Sequence, residues 1–148
     1  MSTDEKVTKD LIQTLEDGTN GFQSAAEKLR ESDRADLATR FAAHSAERAQ
    51  FADELRTIAS AYGDQINESG SVAAAAHRGW MAVKDSISGS SPSGVLDVAE
   101  QGEDHAVSEY RKALEEDISP ELRSMVERQF QSVQATHDEV KTLRNEFN

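Results

Sequence analysis

The sequence predicts an all-α fold, a bundle of four long helices, and three observations carry that prediction. Breakers are rare, with 2 prolines and 8 glycines in 148 residues. Strict alternation of β-branched and polar residues, the mark of a half-buried strand, is missing. Apolar side chains instead recur at steps of three and four over long stretches, which gathers them on one face of a helix. The length fits one domain over residues 1–148, and such a chain buries a sizeable core without staples.

The first helix is expected over about 4–31, with Thr3 as its cap and Asp4 and Glu5 in the first turn, where acids suit the helix dipole. Its stripe is Val7, Leu11, Leu15, Gly18, Phe22, Ala25 and Leu29. Gly18 and Gly21 stand mid-helix, where a glycine costs about 1 kcal/mol relative to alanine. They read as close helix packing or as room for a ligand. Ser32 ends this helix and is expected to cap the second, over about 33–62. The second stripe is Leu37, Phe41, His44, Arg48, Phe51, Leu55, Ile58 and Tyr62, alternating four and three as a bundle seam does. His44 and Arg48 interrupt that seam, and polar groups there need partners.

Gly63 and the 67–70 stretch make a turn. A shorter helix is expected over about 71–87, with Val72, Ala76, Trp80, Val83 and Ile87 on one face. Ser91-Pro92 signals a helix start, and the next long helix runs over about 93–116. Its stripe is Leu96, Ala99, Glu103, Ala106 and Tyr110, with an acid in the middle. Ser119-Pro120 starts the last helix, which continues to Phe147 with a broad apolar face that includes His137.

The tight connections at Ser32 and at 117–119 force antiparallel neighbours. The shorter helix, at 1.5 Å per residue, spans about 25 Å. It can carry the chain most of the way back along the bundle. The long helices then pair as two hairpins, giving a ferritin-like four-helix bundle with a short extra helix in the crossover between helices two and three.

Composition excludes several function classes. There is no cysteine, hence no disulfide, thiolate metal site or cysteine nucleophile. The 28 acidic against 16 basic side chains give a net charge of -12. That repels phosphate backbones and anionic lipid, so no nucleic-acid and no membrane partner is expected. Apolar runs fall far short of the ~20 residues that cross a bilayer. The first ten residues lack the apolar segment of a signal peptide, so the expected compartment is the cytoplasm. No serine is set with a histidine and an acid, and no glycine-rich phosphate loop occurs, so no catalytic residue is assigned.

One cluster carries possible chemistry. Counting outward from the two tight turns places Asp17, His44, Glu47, Glu103 and His137 near one waist. Ferritin-like di-metal sites are built there, from one Glu on each of two helices and a Glu-x-x-His pair on each of the others. Iron or manganese held by Glu103, His137, Glu47 and either Asp17 or His44 is therefore a candidate cofactor. The chain departs from the template: Gln134 stands three before His137, and His44 precedes Glu47. Arg48 brings a cation to the same region. The plainer reading pairs Glu103 with Arg48 or a histidine in a buried polar network. Trp80 with His77 and Arg78 reads as a docking patch or as a tryptophan packed on the bundle, and His105 reads as surface.

Taken together, several landmarks resemble a bacterial family of unknown function whose members are four-helix-bundle, ferritin-like proteins. They are the segment from Leu15 through Asp17, Gly18 and Gly21 to Phe22, then Glu47-Arg48-Ala49-Gln50-Phe51 and His77-Arg78-Gly79-Trp80. Gly102-Glu103-Asp104, Tyr110 and His137-Asp138 complete them. The resemblance implies a ferritin-like fold and a loose association with bacterial stress responses, and it implies no activity or substrate.

Three functions are expected from these readings. The first is a non-enzymatic, stress-associated bundle acting through helix packing or protein partners, with a homodimer as the first partner to consider. The second is an iron or manganese protein in oxidant defence. The third is a solubility or desiccation protectant, suggested by the acidic, alanine-rich composition.

Overall fold

The computed structural model describes residues 3–60 and 92–147. Over them the three-and-four spacing becomes four helices: α1 (Thr3–Glu31), α2 (Ala35–Ala59), α3 (Pro92–Glu115) and α4 (Pro120–Phe147). Every position of the expected α1 stripe is buried, from Val7 to Leu29. No strand occurs among the described residues. No described helix is long and apolar enough to cross a membrane.

The first turn corrects one expectation. Ser32 does not cap α2; its hydroxyl turns back to the Lys28 carbonyl at 3.0 Å. The residue entering α2 is Arg34, whose side chain makes no capping bond. The chain reverses instead at Asp33, whose φ of 63° is left-handed. The Asp33 amide donates to the Arg30 carbonyl at 3.3 Å and the Arg34 amide to the Leu29 carbonyl at 2.9 Å. That is a Schellman closure, with aspartate where glycine is usual, and a short polar side chain tolerates the conformation. The second turn follows the sequence reading. The Ser119 hydroxyl accepts the Leu122 amide at 3.3 Å, and Pro120 opens α4. Arg123 donates to the Leu114 and Glu116 carbonyls at 2.9 and 2.8 Å, satisfying the end of α3.

Packing gives the helix directions. One core cluster joins Phe22–Leu29 of α1 and Leu37–Phe41 of α2 to Val95–Ala99 of α3 and Val140–Leu143 of α4. The other joins Val7–Leu15, Phe51–Leu55, Ala106–Ala113 and Leu122–Val133. Hence α1 and α4 run one way and α2 and α3 the other. α1 packs on α2 and on α3, and α3 on α4, while α2 and α4 meet less closely. Ala59 and Pro92 therefore lie at opposite ends of the bundle. The expected short helix, with His77, Arg78 and Trp80, and Tyr62 before it, lies outside the described residues. The two clusters leave a waist between them.

Candidate functional site: a buried ion pair at the bundle waist

Position 48 falls in the α2 seam between Phe41 and Phe51, and position 103 in the α3 stripe between Ala99 and Ala106. The fold therefore drives both side chains inward. Arg48 and Glu103 are 1% and 0% exposed. They form a two-pronged pair, Arg48 Nη1 to Glu103 Oε2 at 2.8 Å and Nη2 to Oε1 at 2.6 Å. This fork-to-carboxylate geometry suits guanidinium and no other cationic side chain. The guanidinium carbon also lies 5.2 Å from the centre of the Phe22 ring, within cation–π range. Burial works against the charge on Arg48, but the Glu103 carboxylate more than offsets it and holds the guanidinium above its ordinary pKa.

Gly18 now has a physical role. A Cβ there would stand 3.3 Å from Arg48 Nη1 and 3.6 Å from its Cγ. The glycine on α1 thus makes the space in which an α2 cation meets an α3 anion. Gly18→Ala removes the helix cost of glycine, about 1 kcal/mol, but presses on an arginine fixed at both prongs. The expected result is no gain in urea midpoint, in contrast to the gain that alanine brings at an open helical glycine.

Polar side chains flank the pair on both sides along the bundle. Toward the α3–α4 turn, the Tyr110 hydroxyl donates to Gln129 Oε1 at 2.7 Å. Gln129 Nε2 donates to the Phe51 carbonyl at 3.2 Å and to Glu54 at 3.0 Å. Burial pushes the Tyr110 phenol well above its ordinary pKa, so it stays a neutral donor. Toward the α1–α2 turn, His44 Nε2 pairs with Glu139 at 2.9 Å, its ring 5.3 Å from Phe22 and 6.0 Å from Phe41.

His137 lies at the rim, with Nε2 2.6 Å from Asp104 and Nδ1 3.2 Å from Asp138. Burial lowers its pKa, and hydrogen bonds to the two aspartates outweigh that and leave it raised. A raised folded pKa means that the stabilisation is fully present below the unfolded value, about 6.5, and is lost as pH rises through the folded value. The urea midpoint is expected to fall as pH rises above about 6.5, and His137→Gln to remove that part of the slope.

The residues singled out in the sequence thus separate. Glu103 gives both oxygens to Arg48, His44 turns to Glu139, and His137 to Asp104 and Asp138. Asp17 is buried on α1, and Glu47 is half-buried on α2 beside Arg48. Among the described residues no group of three or more histidines, aspartates and glutamates is set to hold a metal ion. His105 is exposed. Sequence reasoning missed the partners Asp104 and Glu139, whose exposed-face spacing gave no signal. It also missed the role of Gln129, whose place in an apolar stripe was the available clue. A guanidinium that does not titrate, against a carboxylate with both oxygens engaged, offers neither a general acid nor a base.

Fold and waist together define a class: an all-α four-helix bundle closed at its centre by a buried arginine–glutamate pair. Within it the chain belongs to the family described as a domain of unknown function (DUF2383), which matches residues 5–116. That span takes in α1, α2 and α3, with both members of the pair, and ends before α4. No curated protein matches the chain.

Proposed function

We propose that this protein is a ferritin-like bundle that acts through helix packing and protein contacts, with no chemistry at its waist. The Arg48–Glu103 pair carries the reading. In ferritin-like metal centres an inward glutamate bridges two cations; here a guanidinium takes the cation's place and both carboxylate oxygens. The helix directions, with a connection running between opposite ends, support the ferritin-like assignment. The net charge of -12 supports a protein partner over nucleic acid or anionic lipid. A place in a bacterial stress response rests on the landmark resemblance and is tested by survival of a deletion strain under oxidant and drying.

The rival is iron or manganese on Glu103, His137, Glu47 and either Asp17 or His44, which requires Arg48 to give up Glu103. Elemental analysis of untagged protein after anaerobic loading with Fe(II) or Mn(II) decides between them. Little bound metal and an unchanged melting temperature on chelation is the expected result. About two metals per chain, with a melt that falls on chelation, overturns the proposal.

A further inference from the structure

The outward face of α2 is unlike the other described faces. From Thr39 to Gln50 it presents Thr39, Ala42, Ala43, Ala46 and Gln50, all exposed and uncharged, between the exposed acids Asp36 and Asp53. In a chain of 30% charged residues this is some three turns of uncharged surface. The outer faces of the other helices carry exposed charges such as Glu27 and Arg30, Asp104 and Arg111, and Glu127 and Lys141. Thr39, Ala43, Ala46 and Gln50 step by four, three and four, the spacing of a helix–helix seam. The same helix carries a second such seam, already buried, on its inner side.

A second observation says what covers this face. Most charges at the surface of α2 are paired: Asp36 with Arg34, Glu54 with Arg128, Arg56 with Glu16 and Asp53. Arg40 and Glu47, two turns apart on one flank of the outer seam, have no ion-pair partner among the described residues. They are opposite in sign and lie either side of Ala43. A two-fold axis midway between them brings each Arg40 to the other chain's Glu47 and the small residues of the two seams together. A parallel two-fold pairing instead puts the two Arg40–Glu47 flanks on opposite sides of the interface and leaves these charges unmatched. Charges flanking a seam choose orientation in this way.

We infer that the outer face of α2 docks antiparallel on the same face of a second copy, with Arg40 opposite the partner's Glu47. This rests on the reading that the bundle works through protein contacts. Two bodies each of charge -12 repel once they come within the screening length, so self-association needs an uncharged patch bounded by matched charges. One helix face per chain makes a small interface, so the dimer separates on dilution.

Sedimentation equilibrium of the full chain from about 1 μM to about 1 mM, a range that reads out weak association, tests it. The expected result is a reversible monomer–dimer equilibrium. Ala46→Glu, at an exposed position, gives monomer with unchanged helix content and melting. Arg40→Glu and Glu47→Arg each weaken association about tenfold or more, a change of about one power of ten or more in Kd, and the two together restore it. A monomer at every concentration overturns the inference. So does a dimer indifferent to Ala46→Glu, which places the contact elsewhere. So does an Ala46→Glu chain that stays monomeric but melts lower, which shows the face covered by its own chain. None of these failures touches the metal-loading result, so the wider proposal stands or falls separately.

Discussion

Glu103→Ala is expected to destabilise the bundle by about 3–5 kcal/mol, the usual cost of removing one partner of a buried ion pair. The loss of two hydrogen bonds is the smaller part. The larger is the guanidinium of Arg48 left inside, 1% exposed, with its hydrogen-bonded counter-charge gone and only the weaker influence of Glu47 left. Domains commonly hold ~5–15 kcal/mol in total, so the loss is a large share of the whole. Arg48→Met leaves the Glu103 carboxylate stranded in the same way, and its cost should be comparable. The double variant Arg48→Met/Glu103→Leu should recover most of either loss. Replacing a whole buried pair by apolar groups of similar volume is commonly neutral or gains about 1–4 kcal/mol. Urea midpoints at constant slope supply the three values, and their non-additivity is the coupling. Three equal losses would show that the site is held by shape alone. In the double variant the pressure of residue 18 on the guanidinium is also gone, so Gly18→Ala should then become stabilising.

Fold and site were legible in the sequence to different depths, for a physical reason. Helix existence and direction follow from apolar period and breakers, which are local. The α1 stripe from Val7 to Leu29 is therefore buried as read, and Pro120 opens α4 as read. The first turn was read wrongly because Schellman closures usually advertise themselves by glycine, and Asp33 took that position. At the waist, period alone put Arg48, Glu103 and the glycine at 18 on inward faces. It left Glu103 to Arg48 or a histidine, of which the structure has Arg48, and it gave His44 no partner, because Glu139 lies far away in sequence and lateral pairing depends on helix rotation. Counting levels from the turns put five residues at one height, but residues at one height can still face different neighbours around the bundle.

Phe22→Ala should be the other severe substitution, at about 3–5 kcal/mol for a fully buried aromatic. Phe22 has 0% exposure and belongs to the core cluster between the waist and the α1–α2 turn. Its ring meets Phe41 edge-on at 5.3 Å, with planes at 88°, an arrangement favoured by the ring quadrupoles. It also meets the His44 ring at 5.3 Å and the Arg48 guanidinium at 5.2 Å. The ring is therefore a wall shared by the buried Arg48 guanidinium and the half-buried His44 imidazole. Removing it opens a cavity beside a guanidinium, and an apolar cavity next to a buried cation invites water that rearranges the pair. Phe22→Leu separates these effects. It keeps most of the volume but loses the ring face, so it should cost less than alanine yet more than Phe41→Leu, whose ring lies over no cation among the described residues. A larger loss in Phe41→Leu than in Phe22→Leu would mean that packing volume alone sets the cost. If the ring face matters, the Phe22→Leu penalty should shrink in the background where Arg48→Met and Glu103→Leu have removed the charges, because the guanidinium it served is no longer there.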